Sequence, residues 1–178
     1  AGDWAEGELS AVGGANGTGK STLLRALAGR VPPSAGSVRI VPADETPRTG
    51  TIHYLGHLDG LKTSLTVRQN LAFWQRVWAG GDDAVEAALD RLGLAHLADL
   101  PAGVLSAGQK RRVAIARLLV VPRPVWLLDE PATALDAAAE TMLDGLVAAH
   151  LAGGGMAMIA THREMGVAPT ATVRMGSS

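Results

Sequence analysis

Residues 14–22 read G-A-N-G-T-G-K-S-T, which is the phosphate-binding loop pattern G-x-x-x-x-G-K-[ST]. Few stretches of this length constrain a fold as tightly, because the loop works only between a strand and a helix. The run 8–12 before it is strand-like, and 21–29 after it is apolar at helical spacing through Leu23, Leu24 and Leu27. Gly14, Ala15, Asn16, Gly17, Thr18 and Gly19 form a backbone that can turn tightly and gather N–H groups around an anion. The helix start adds roughly half a positive charge at the same point. Lys20 supplies a mobile full charge for the β- and γ-phosphates, Ser21 a hydroxyl for Mg²⁺, and Thr22 completes the pattern. A Gly-rich turn before a helix is the simpler reading of the nine residues alone. The flanking strand and helix favour a nucleotide, without saying which one.

The rest of the chain alternates strand-like and helical stretches, which predicts an α/β fold with a parallel sheet. Strands are expected at 8–12, 38–41, 51–55, 125–128 and 156–160, with an edge strand at 172–175. Residues 42–50 read as a polar loop. A helical block interrupts the alternation. Thr66 is placed to cap a helix at 67–78 that ends at Gly80-Gly81, and Asp82 to cap a second with Val85, Leu89 and Leu92 inward. A short helix is expected at 94–100. Ser106 and Gln109 have capping-box spacing at the start of another, which Pro122 and Pro124 stop. The block is expected to form a helical subdomain over about 62–118 inside a single domain 1–178. Asp136 begins a helix with Met142, Leu143, Leu146 and Val147 inward. Trp4 is expected in the core.

Asp129 and Glu130 follow the apolar strand 125–128, and functional groups of parallel sheets collect at the carboxyl ends of strands. Asp129 can hold Mg²⁺ through water or beside Ser21, and Glu130 can orient and deprotonate a water. Alone, such a pair is a solvated strand end; beside a phosphate loop it reads as machinery. Ser106, Ala107, Gly108 and Gln109 open a helix with a hydroxyl and small residues, either a second anion site or an ordinary capping box.

These stretches occur in a fixed order: the phosphate loop, L-S-A-G-Q-K-R-R-V-A-I-A-R at 105–117, L-L-D-E-P at 127–131, A-L-D at 134–136 and A-T-H at 160–162. From end to end the chain resembles the ATP-binding subunit of ABC transporters. The resemblance implies a RecA-like P-loop NTPase core with an inserted helical subdomain, and ATP with Mg²⁺ as ligands. It also implies a head-to-tail dimer in which Ser106, Ala107, Gly108 and Gln109 of one copy reach the nucleotide of the other. Asp136 would couple the two sites, and His162 would contact the γ-phosphate and help hold the water. Integral membrane permease subunits would be the further partners, at the cytoplasmic face of the inner membrane.

Residues 54–63, Y-L-G-H-L-D-G-L-K-T, and 65–74, L-T-V-R-Q-N-L-A-F-W, are similar to the haem-exporter ATP-binding subunits of cytochrome c maturation, the CcmA type. That group has Gly-His where most relatives carry a glutamine. An imidazole at His57 is a poor Mg²⁺ ligand but titrates near neutral pH, which glutamine cannot. The narrower resemblance implies haem export or release of a haem-loaded chaperone. Other transported substrates remain open, as does a soluble ATPase acting on nucleic acid or ribosomes. For the latter, Lys110, Arg111, Arg112 and Arg117 form a basic run, read here as a solvated face with contacts to phosphate and partner. No nucleic acid is expected: net charge is −1. Absence of cysteine excludes a disulfide framework and thiolate metal sites. The acidic start is unlike a signal peptide. The chain does not begin with Met and its first strand arrives at once, so the natural N-terminus and the adenine-stacking aromatic are expected upstream.

Overall fold

The computed structural model describes residues 3–38, 48–78, 81 and 83–176. Most of the expected strand at 38–41 and loop at 42–50, with Gly80 and Asp82, lie outside them. The described residues form two compact units.

The first unit comprises residues 1–57, 123–131 and 144–178. Its core is a parallel sheet of β1 (Leu9–Gly13), β2 (Ile52–Leu55), β3 (Val125–Asp129), β4 (Met156–Ala160) and β5 (Ala171–Arg174). The spatial order is β2-β3-β4-β1-β5. The register aligns Val12 with Ala160 and Ala160 with Asp129, so β1, β4 and β3 end in one row. The edge strands are β5, which pairs with β1 alone, and β2, which pairs with β3 alone.

Side chains alternate across a strand, so Leu127 and Trp126 face opposite ways. On one face, Leu24 and Ala28 from helix α1 (Lys20–Leu27) and its cap pack with Val12, Ile52, Leu127 and Met158. On the other, His150 stacks on Trp126 at 3.9 Å and 7° between planes. His150 belongs to α6 (Ala137–Ala152), which begins in the second unit and ends in the first. Cover on both faces explains why β3 and β4 read as unbroken apolar runs. Helix α2 (Arg48–Thr51) replaces the last part of the expected loop, and β2 starts one residue later than expected. A single helical turn has no periodicity to read. Trp4, expected in the core, is 39% exposed. It precedes the sheet and borders an apolar cavity with Leu27, Val125 and Met156.

The second unit, residues 58–122 and 132–143, is helical. In it α3 (Val67–Val77) and α4 (Ala84–Arg91) pack on α5 (Ala107–Val120). Val113, Ala114, Ile115, Ala116, Leu118 and Val120 are all buried, as a central helix requires. Thr66 and Gln69 form the full capping box on α3. The N–H groups of Val67 and Arg68, unpaired within the helix, donate to Leu100 O (3.1 Å) and Ala98 O (2.9 Å). Buried Asn70 accepts from Lys62 N (2.8 Å) and donates to Lys62 O (3.1 Å) and Thr66 O (2.9 Å), fixing the chain before α3. The helix expected at 94–100 is one 3₁₀ turn, Ala95–Leu97, followed by a second at Ala102–Val104. The described N-cap of α4 is Asp83 and makes no side-chain cap bond.

Burial lowers the His150 pKa from its ordinary 6.5, against the carbonyls of Met156 and Pro124, which raise it. Unfolding in acid therefore takes up a proton here, and stability falls as pH drops below about 6.5. His150→Gln is expected to flatten the acid side of a Tm–pH curve between pH 5 and pH 8; an unchanged slope would assign it to other groups.

Candidate active site

The three strand ends in one row carry the chemistry. The phosphate loop leaves β1, Asp129 ends β3 with Glu130 just beyond it, and Thr161-His162 leaves β4. A cavity of about 250 Å³ is lined by Asn16, Gly17, Gly19, Lys20, Ser21, Thr22, Asp129, Glu130 and His162. Gly14, Ala15 and Thr18 of the loop are not on its wall.

Backbone geometry demands the loop's glycines. Gly14 has φ 146°, and a Cβ there would lie 2.5 Å from Met175 O and 2.9 Å from Thr18 Oγ1. Gly19 caps α1 at φ 94°, in the left-handed region that glycine tolerates. Lys20 is buried, and its Nζ donates to Gly14 O (2.7 Å) and Ala15 O (3.0 Å). His162 Nε2 lies 2.8 Å from Asn16 Oδ1 and 3.5 Å from Glu130 Oε1, and 3.3 Å from Lys20 Nζ. The two oxygens favour a proton on Nε2, with the ammonium as a neighbouring charge held by its carbonyls.

Consecutive strand residues point to opposite faces, yet Asp129 and Glu130 both line this cavity. The chain achieves this by leaving the strand at Glu130, whose φ is 46°. The Glu130 N–H donates to Ala160 O (2.8 Å) and holds the turn. Asp129 stays in the strand, 4% exposed, while the Glu130 side chain is 30% exposed. Neighbouring carboxylates thus occupy different environments, one suited to an ion and one to a water. Ser21 and Asp129 offer two hard oxygen donors on one cavity wall, a set that fits Mg²⁺ shared with phosphates and waters.

His57 is exposed and is not on the cavity wall. The preceding Gly56 is buried under the Tyr54 ring; a Cβ would meet its Cε1 at 2.9 Å. In the second unit, Ser106 and Gln109 form a complete capping box: Ser106 N donates to Gln109 Oε1 (2.8 Å) and Gln109 N to Ser106 Oγ (3.2 Å). Ala107 begins α5. A Cβ on Gly108 would meet Ala134 O at 2.7 Å, so this glycine is required by packing alone. Asp136 accepts from Ala139 N (2.8 Å) and caps α6. The basic run is not a solvated face. Arg111 is buried with Nη1 3.1 Å from Asp59 Oδ1, Arg117 lies over the Trp74 ring at 5.2 Å, and Lys110 and Arg112 are half-buried. A lone aspartate 52 positions away gave no sequence signal for that pairing.

Residues 2–133 match the ABC transporter family model. The chain belongs to that family. It is 50% identical over 165 residues to the cytochrome c biogenesis ATP-binding export protein CcmA of Rhodopseudomonas palustris BisB5, covering 92% of this chain and 82% of that protein. It is 49% identical to CcmA of Rhizobium meliloti, covering 96% and 86%. An ABC transporter ATP-binding protein from Pyrococcus furiosus superposes with a TM-score of 0.81 at 23% identity, over 96% of this chain and 86% of that one. CbiO1 of Clostridium perfringens, part of the ABC transporter complex CbiONQ, gives 0.70 at 33% identity, over 89% and 68%. The α/β P-loop ATPase fold expected from the motifs is thereby shown, as are ATP binding and hydrolysis.

A non-glycine residue in the left-handed region is disfavoured by about 1–2 kcal/mol. Glu130→Gly is therefore expected to be more stable than Glu130→Ala by about 1 kcal/mol. Equal denaturation midpoints for the two would remove the strain from Glu130.

Proposed function

We propose that the chain is the ATP-hydrolysing subunit of a transporter serving cytochrome c biogenesis. The process is haem export or release of a haem-loaded chaperone. The names of relatives near 50% identity over almost the whole chain support this reading. Among the described residues no helix is long and apolar enough to cross a membrane, so permease subunits would supply the membrane path. The subunit would bind them peripherally at the cytoplasmic face, with the helical unit as the inserted subdomain.

The hydrolytic roles rest on one observation: Lys20, Glu130 and His162 converge on a single cavity. Lys20 neutralises the β- and γ-phosphates while loop N–H groups cradle them. Glu130 accepts the proton of the attacking water, and His162 orients that water and the γ-phosphate. Ser21 and Asp129 would hold Mg²⁺, which supplies charge neutralisation across the phosphate oxygens. Ser106 and Gly108 of a second copy would complete the site in a head-to-tail dimer, with Ala107 and Gln109 shaping that helix start. Asp136 would link the two sites. His57 would take the place of the glutamine that most relatives carry there.

Glu130→Gln should bind ATP normally and lose about 10² to 10⁴ in turnover, the usual worth of a general base. Cells carrying it should fail to load haem onto c-type cytochromes. Normal turnover overturns the role of Glu130; normal haem loading with turnover lost overturns the transport assignment. Ser106→Ala should weaken ATP-driven dimerisation, read by sedimentation in the Glu130→Gln background, more than it weakens ATP binding. The reverse order would return Ser106 to plain helix capping.

A further inference from the structure

The side chain of His162 is 51% exposed, so packing cannot aim it. Its Nε2 reaches Asn16 Oδ1 and Glu130 Oε1 only if the backbone on either side puts the ring within range. One carboxylate ties the backbone that follows His162. Asp144, on α6, uses both oxygens: Oδ1 pairs with Arg163 Nη2, and Oδ2 accepts from Gly166 N at 3.0 Å. Arg163 also donates from its own N–H to Thr161 Oγ1 (3.2 Å) and from Nη1 to Glu164 O (2.9 Å). His162 thus sits between two tied residues. The approach is close enough that a Cβ on Gly166 would lie 2.9 Å from Asp144 Oδ2.

The arrangement is stronger than an ordinary surface pair. Asp144 is 15% exposed and Arg163 25%, and a backbone N–H shares the carboxylate. Exposed pairs hold little because both partners stay solvated and mobile. Here the partners cross from a helix to an irregular turn that has no ladder of its own.

We infer that Asp144 is a positioning residue for ATP hydrolysis: through Arg163 and Gly166 it fixes residues 161–166 and so aims His162 at Asn16, Glu130 and the γ-phosphate. The inference rests on the proposed role of His162. Asp144 is not on the wall of the cavity. Its removal lets the turn drift, and a misplacement of about 1 Å at a reacting centre can lower a rate by as much as 10²-fold.

The test is a double-mutant cycle on the full-length subunit in its assembled transporter, read as ATPase kcat and apparent KM. Asp144→Ala is expected to lower kcat about 10- to 100-fold with KM for ATP nearly unchanged. In a His162→Ala background the same change should alter kcat by less than about twofold, because its effect passes through a side chain already gone. Asp144→Asn keeps the shape and loses the charge, and serves in the same cycle if the alanine variant folds poorly. Equal losses in both backgrounds would make Asp144 merely structural and overturn the inference. So would unchanged kcat in Asp144→Ala while His162→Ala is inactive, which would leave the reading of His162 standing. Full turnover in His162→Ala would remove that reading and the inference with it.

Discussion

The site depends on parallel pairing of β1, β4 and β3 in a register that ends all three in one row. Val12, Ala160 and Asp129 are the partners in that row. Everything chemical lies a few residues beyond it. A shift of one residue in either ladder would turn the outgoing side chains to the opposite face. The bond from Glu130 N to Ala160 O carries the β3–β4 connection one step past the sheet and into the turn. Burial on both faces fixes the register: α1 covers one, and the Trp126–His150 stack lies on the other. Gly155 permits that stack, since a Cβ there would fall 2.2 Å from the His150 ring.

The helical unit solves a different problem with buried polar groups. Its connections are irregular, and apolar packing gives irregular backbone no hydrogen bonds. Asn70 supplies them before α3, with four polar groups arranged around one amide. Arg111 ties Asp59 to α5. A buried ion pair is weak evidence for stability, because desolvation offsets much of the attraction. Its geometric effect is to fix where the segment after His57 begins. Capping boxes at Thr66 and Ser106 repeat one local device at two helix starts.

What was legible in the sequence was local. The phosphate loop, both capping boxes and the apolar runs of β3 and β4 are set by neighbours a few residues apart. Strand order was not legible, since it is fixed by contacts across the chain; no local pattern says that β1 lies between β4 and β5. Trp4 illustrates the limit of hydrophobicity as a guide to burial, because a large ring ahead of the sheet has only part of a surface to cover it. The basic run at 110–117 has the spacing of a solvated face, and one distant aspartate changes its meaning. Asp144 falls between Leu143 and Leu146 on α6, where a carboxylate amid inward positions was the available signal; its partners at Arg163 and Gly166 are visible only once β4 has been laid beside β3.

Among the described residues, Glu130 and Ala134 are the two non-glycine positions with positive φ, at 46° and 66°. They bracket the point near Pro131 where the chain leaves the first unit for the second. Both are set in an unfavourable conformation, and at 130 for a reason that glycine cannot serve equally. At 130 the left-handed turn brings a second carboxylate to the wall that Asp129 already lines, and glycine would relieve the backbone while deleting that carboxylate. At 134 the turn presents a carbonyl to Gly108, so closely that the helix start tolerates no side chain there. Strain at the first residue goes with the carboxylate on the cavity wall, and at the second with the packing of α5. A single short segment thus shapes the ends of both units, and its conformation is maintained by the sheet ladder at one end and by the capped start of α6 at the other.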